Sequence, residues 1–127
     1  MNSYPRRDST DVVRESLSLP DARVLDVGCG DGALVRMMTR EGAQVTGLEI
    51  SDSQLARARA ESPVGGESYR VGRAEALPIE DGASDIVVFF NSLHHVPIES
   101  QEEAIVEAAR VLETGGRLFV MEPVAEG

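Results

Sequence analysis

The sequence predicts an α/β domain built on a parallel sheet, and three observations carry that prediction. Five short, β-forming apolar runs alternate with helical patterns along 127 residues, the order expected of strands joined by helical crossovers. The fourth run, Asp85–Phe90 (DIVVFF), is apolar almost without a break, as in a strand covered on both faces. The first run, Val24–Val27, passes directly into glycines at alternate positions, Gly28, Gly30 and Gly32, and then into a helical pattern. A buried strand that turns sharply into a helix N-terminus is a nucleotide-binding device. Its glycines permit the turn and let a ligand touch the main chain.

Local signals justify each element in order. Residues 1–10 are polar, contain Pro5 and are expected to be unstructured; residues 1–19 are read as a tail with a short helix, and residues 20–127 as the core domain. That helix is expected from about Thr10 to Leu19, with Val12, Val13, Ser16 and Leu17 on one side and Pro20 as its stop. After the glycine loop a second helix carries Leu34, Val35, Met37 and Met38, and Gly42 ends it. Gln44–Glu49 (QVTGLE) is the second strand. Ser51 and Gln54 have capping-box spacing and open a third helix, which Pro63 and the pair Gly65-Gly66 terminate. A short third strand lies around Ser68–Val71, followed by a loop without periodicity, GRAEALPIEDGAS. Beyond the fourth strand, Ser100 and Glu103 repeat the capping-box pattern and are expected to open a helix whose face is Ala104, Ile105, Ala108, Ala109 and Leu112. Glu99, Glu102 and Glu103 at its front and Arg110 near its back suit the helix dipole. Gly115-Gly116 is expected to end that helix, and Arg117–Met121 (RLFVM) is the fifth strand.

Composition narrows the partners. At 42% hydrophobic and 27% charged the chain is globular in type, with length enough for one core. A net charge of −10 argues against nucleic acid, whose phosphates need clustered cations, and against an anionic membrane surface. Cys29 is the single cysteine, so no intramolecular disulfide forms and no oxidising compartment is required. No apolar run approaches the ~20 residues of a bilayer span, and the N-terminus lacks the apolar core of a secretory signal. The expectation is a soluble, cytoplasmic protein.

Ligands on parallel sheets sit outside the carboxyl ends of the strands. Glu49, the Arg73–Glu75 loop, Asn91–His95 and Glu122 all fall at such ends, on the side of the glycine loop. Gly28-x-Gly30-x-x-Ala33 satisfies a dinucleotide pattern. Glu49 stands about 20 residues further on, where an acid holds ribose hydroxyls. A small NAD-linked oxidoreductase is therefore one reading, although little chain remains for a substrate-binding portion.

The second reading rests on the whole chain. VLDVGCGDG, Glu49 at the end of strand two, RAEALP, SDIVVFFNSLHHV and EAARVLETGGRLFVMEPV follow one another in an order and spacing that resemble the class I S-adenosylmethionine-dependent methyltransferases, in the subgroup often called type 11. The resemblance covers roughly residues 20–124. It implies a Rossmann-like, doubly wound and mainly parallel sheet with strand order 3-2-1-4-5, here lacking the last two strands of that fold, which form a hairpin beside strand five. It implies S-adenosylmethionine as cofactor and methyl transfer to a small-molecule acceptor. It implies that Asp26 helps hold the methionine ammonium, that Gly28, Cys29, Gly30 and Gly32 lie against the cofactor, and that Glu49 accepts from the ribose hydroxyls. Ile50 then packs on the adenine, Ala74 meets it through the backbone, and Asn91 lines the floor beside the methionine part. The resembled family often has Asp where this chain has Arg73, which leaves Glu75 as the substitute acceptor for the adenine amino group.

Two adjacent histidines, His94 and His95, do not by themselves make a metal site, and no Cys/His set accompanies them. His95, or in second place His94, is the candidate base or orienting group for the acceptor. Binding of S-adenosylmethionine without catalysis, by a fragment or a binding module, is the competing function. The apolar fifth strand, as a sheet edge, is expected to pair with a second copy of the chain.

Overall fold

The structure, a computed structural model, describes residues 8–122. Its elements are α1 (Ser9–Ser16), β1 (Arg23–Val27), α2 (Ala33–Arg40), β2 (Gln44–Glu49), α3 (Asp52–Ala60), β3 (Ser68–Val71), β4 (Ser84–Phe90), a 3-10 turn (Leu93–His95), α4 (Ile98–Val111) and β5 (Leu112–Met121). The strands form one sheet in the order β3-β2-β1-β4-β5, and every pairing is parallel. This is the expected Rossmann-like arrangement.

The sheet is covered on both faces because its central strands are apolar at nearly every position. Val24, Val45, Ile86 and Val88 pack with Val13, Leu17, Leu34, Val35 and Met38 from α1 and α2. On the other face Leu25, Val27, Val87 and Phe89 pack with Ala104, Ala108 and Val111 of α4. Alternation of side chains along a strand therefore sends Asp26 to the same face as Val24, where it is 2% exposed.

Element boundaries depart from expectation where a local signal is overridden. Most of the stretch expected to be unstructured, residues 1–7, lies outside the described residues. Asp8 caps α1 with a complete capping box, its side chain accepting from Asp11 N while the Asp11 side chain accepts from Asp8 N. Ser51 caps α3 as expected, accepting from Gln54 N, but its own N–H goes to Glu49 instead of Gln54. The second capping box does not form. α4 starts earlier, at Ile98 after Pro97, and Ser100 sits in its first turn with its N–H donated to Pro97 O. Gly115-Gly116 does not end α4 either. The helix stops at Val111, and β5 begins at once, carrying the two glycines through a register shift against Ser84 and Ile86. Gly115 takes φ +83° there: the glycines serve an irregular strand pairing.

The connection Gly72–Ala83, which has no helix, is strapped to α4 by one arginine. Arg110 donates to the carbonyls of Leu77 and Ile79 and to the carboxylates of Asp81 and Glu107. Glu107 in turn accepts from Leu77 N. The facing carboxylates raise the Arg110 pKa and Arg110 lowers that of Glu107, so this strap stays charged at neutral pH. It fixes the loop that carries Ala74 and Glu75. Among the described residues no helix is long and apolar enough to cross a membrane.

Candidate functional site

The site grows out of the turn that follows β1. Gly28 N and Cys29 N both donate to Leu48 O, which ties the turn to the end of β2. Gly28, Gly30 and Gly32 all adopt positive φ, at +77°, +56° and +85°. Gly28 is required for a second reason: a Cβ there would lie 2.5 Å from Ser92 Cβ. Ser92, 8% exposed, donates its hydroxyl to Val27 O at 2.7 Å. The loop after β4 is thus docked directly on the glycine turn. Asn91, at φ +55°, supplies the bend that makes this possible, an αL conformation that Asn tolerates better than most residues.

Glu49 is the electrostatic pivot. Its Oε1 accepts from Gly30 N at 2.9 Å, and its Oε2 accepts from Ile50 N and Ser51 N, each at 2.9 Å. Three backbone donors hold the carboxylate in one orientation, with one acceptor site left for a ligand hydroxyl.

Asp26 lies close behind it. Burial first, and the neighbouring Glu49 charge second, push its pKa up to about 7. No hydrogen bond to its carboxyl forms among the described residues. A buried acid left without a partner is a place where a cationic ligand group gains most. The same two carboxylates, after burial, push the Cys29 thiol up to about 12. Cys29 is therefore an inert packing residue, with its Sγ turned toward Gly47 on β2.

A cavity of about 430 Å³ opens above these groups at the carboxyl ends of the strands, within the roughly 300–1,000 Å³ of small-molecule sites. Of the residues expected at the site, Gly28, Gly30, Glu49, Ile50, Ala74, Glu75, Asn91 and His95 line it. Asp26, Cys29 and Gly32 do not. Asp26 and Cys29 are buried, and Gly32 begins α2 with its Cα beside Tyr69 and Arg36. The wall also includes Ser51, Gln54, Phe89 and Val96, which sequence reasoning did not assign to the site, together with Arg73 and Ser92 from the two segments it had placed on that side. Ser51 and Gln54 carried a readable signal, since the capping residues of a helix that follows a ligand-binding strand end face the same space. Ser92 carried none, because its role depends on contact with Gly28.

At the far end of the cavity the two histidines have different partners. His95 lines the wall. His94 lies outside it with Nδ1 2.5 Å from Glu122 Oε2, and its backbone N–H reaches Glu122 Oε1 at 3.2 Å. The two rings contact each other with centroids 4.0 Å apart.

Comparisons with known proteins bear on the family and the fold. The family model described as "Methyltransferase domain" matches residues 25–120. A ubiquinone biosynthesis O-methyltransferase of Xanthomonas oryzae pv. oryzae is 44% identical over 115 residues, covering 87% of this chain and 46% of that protein. The chain thus spans about half the length of the curated relatives it matches. Among solved structures, an S-adenosylmethionine-dependent methyltransferase from Mesorhizobium loti superposes with TM-score 0.76 at 30% identity, covering 85% of this chain and 50% of that one. The [4+2]-cyclase SpnF superposes with TM-score 0.79 at 35% identity, covering 89% and 43%.

Proposed function

This chain belongs to the methyltransferase-domain family, and on that premise we propose that it binds S-adenosylmethionine in the Glu49 cavity and directs methyl transfer to a hydroxyl oxygen of a small acceptor. The observation that carries the proposal is the pairing of Glu49, oriented by three backbone N–H groups, with the buried and unpartnered Asp26 on the same side of the glycine turn. The chemistry of this donor set fits the cofactor. A ribose diol meets a fixed acceptor, a flat base meets Ile50, which is 53% exposed, and an ammonium at the glycine turn feels the charge of Asp26 from behind the cavity wall. When bound, the cofactor would supply a methyl group activated by its sulfonium.

The residues of the chain position and exclude. The glycine turn brings main-chain groups against the ligand without intervening side chains. Phe89 and Val96 make the wall beside Asn91 apolar, so that the reacting groups meet away from water. Ala74 and Glu75 close the base end, held there by Arg110. His95, on the cavity wall, takes the acceptor proton or orients the acceptor. The name of the Xanthomonas relative supports oxygen as the attacked atom, and the net charge of −10 favours a small molecule over nucleic acid.

Transfer of a radiolabelled methyl group from S-adenosylmethionine to a catechol probe, 3,4-dihydroxybenzoate, tests the activity. Turnover that falls at least tenfold in His95→Ala supports the proposal, and unchanged turnover in that variant at every pH removes His95 from it. A second reading has its own support: the cyclase SpnF shares this fold, and fold alone does not determine the reaction. Binding of S-adenosylmethionine with no methyl transfer to any hydroxyl probe favours it. The NAD reading survives only if NAD binds and S-adenosylmethionine does not.

Self-association through β5 is part of the proposal. Among the described residues the strand lies at the edge of the sheet with Leu118 and Val120 exposed, a template for pairing with another chain. Light scattering tests it: dimers that dissociate in Leu118→Lys support it, and a strict monomer at high concentration counts against it. The buried, unpaired Cys29 is compatible with a reducing compartment, and the cytoplasm is the proposed location.

A further inference from the structure

We infer that Arg73 is a specificity-determining residue that fits the base end of the cavity to a 6-oxopurine, so that a ligand carrying inosine is accepted at least as readily as one carrying adenosine. The inference rests on the cofactor reading above and concerns the end of the ligand which that reading leaves to Ala74 and Glu75.

The topology decides which wall the base meets. Sheet order puts β2 between β1 and β3. A ligand with its amino-acid end at the glycine turn after β1 and its ribose on Glu49 at the end of β2 carries its base on toward the end of β3. Gly72 N donates to Glu49 O at 3.2 Å, so the chain leaving β3 starts beside the ribose acid. It then folds into a tight turn, closed by Ala76 N donating to Arg73 O at 3.2 Å. Ala74 anchors this turn at 9% exposure, and Arg110 holds the stretch after it through the carbonyls of Leu77 and Ile79. Arg73, Ala74 and Glu75 all line the cavity, as does Gln54 of α3.

Three side chains at this end keep their hydrogen-bonding capacity for a ligand. Those of Gln54, Arg73 and Glu75 make no hydrogen bond or ion pair among the described residues. Two of the three suit either base. The Glu75 carboxylate only accepts, and it finds a donor in the 6-amino group of adenine or in the N1–H of a 6-oxopurine. The Gln54 amide carries both donors and an acceptor, and it turns to match.

Arg73 breaks the tie. A guanidinium has five N–H donors and no acceptor. Against O6 and N7 of a 6-oxopurine it makes two parallel hydrogen bonds. Against adenine it reaches N7 alone and sets an N–H toward the hydrogens of the 6-amino group. A bidentate pair of this kind discriminates between bases by roughly 5–150-fold. An aspartate at the same position would invert the preference, since a carboxylate accepts from the amino group and repels O6.

Calorimetric titration of S-adenosylhomocysteine and of its 6-oxo analogue, S-inosylhomocysteine, into the parent chain, Arg73→Ala and Arg73→Asp at pH 7 reads the preference as a ratio of affinities. The parent should bind the inosyl compound at least as tightly as the adenosyl one. Arg73→Ala should weaken the inosyl compound ~10-fold and the adenosyl compound much less. Arg73→Asp should prefer the adenosyl compound by ~10-fold or more. A merely structural role would move both affinities together and leave their ratio alone. The Arg73 side chain is exposed and unpartnered among the described residues, so both variants should melt with the parent in the absence of ligand. A parent that prefers the adenosyl compound, or a ratio that neither substitution changes, overturns the inference. Failure of the cofactor reading looks different: the parent then gives no heat with either compound, and the inference falls with it.

Discussion

Asn in place of Asp26 should stabilise the protein at neutral and alkaline pH while impairing the proposed site. The acid is 2% exposed and its pKa rises from 3.8 to about 7, through burial first and the Glu49 charge second. The folded state therefore keeps a proton that the unfolded chain releases between those pH values. Stability contributed by this group is fully present below pH 3.8 and is lost as pH rises toward about 7. At roughly 1.4 kcal/mol per pH unit the loss reaches about 4 kcal/mol, and it persists at higher pH. Asparagine matches the shape of the carboxyl and carries no charge, so it removes this loss. Its amide hydrogens replace a carboxyl that makes no hydrogen bond among the described residues, and leaving them unpaired costs about 1–3 kcal/mol. The net expectation at pH 8 is a gain of about 1–3 kcal/mol. Near pH 4.5 the loss shrinks to about 1 kcal/mol, because Asp26 is protonated in the fold and the unfolded acid is less than one pH unit past its own pKa, so the amide cost offsets or outweighs the gain. Asp85, Glu67 and Glu107 have lowered pKa values, so they favour the fold at higher pH in both proteins and cancel in the difference. Thermal melts of both proteins between pH 4.5 and 8.5, with and without S-adenosylhomocysteine, measure all of this. The ligand should raise the melting temperature of the parent more as pH rises through 7, since its ammonium displaces the Asp26 proton, and should barely move that of the variant. A variant less stable than the parent at pH 8, or a difference independent of pH, would refute the reasoning.

Two other substitutions probe the supports of the cavity. Gly28→Ala forces a Cβ into φ +77° and to 2.5 Å from Ser92 Cβ, and chemical denaturation should show a loss of about 2–4 kcal/mol. Adding Ser92→Gly should recover the steric part and leave the backbone part. Arg110→Ala deprives the Gly72–Ala83 connection of its strap and should cost about 2–3 kcal/mol, with faster amide exchange at Ala74–Leu77 and weaker cofactor binding.

The strands and the Glu49 pivot were legible because each has a local signature: apolar runs of strand length, glycines at alternate positions, an acid at a fixed distance; the strand order followed from the family resemblance. Legibility failed where a local signal was weaker than a tertiary one. Ser100 and Glu103 have capping-box spacing, yet α4 already starts behind Pro97. Gly115-Gly116 reads as a helix stop, yet pairing with β4 claims the chain from Leu112 onward. The site divides in the same way. Glu49, Gly28 and Gly30, which line the cavity, could be read directly, whereas Ser92 against Gly28, Arg110 across the Gly72–Ala83 loop and Glu122 on His94 are contacts between distant segments. Only the folded sheet puts them side by side.

The central claim is that the carboxylate held by Gly30, Ile50 and Ser51 receives the ribose of an adenosyl cofactor. Calorimetric titration of S-adenosylhomocysteine into the parent chain and into Glu49→Gln at pH 8 tests it most directly. The account predicts one-to-one binding that weakens ~10–100-fold in the variant, the worth of one or two charge-assisted hydrogen bonds, with no heat from NAD in either protein. Equal affinity in both proteins, or binding of NAD in place of S-adenosylhomocysteine, would contradict it.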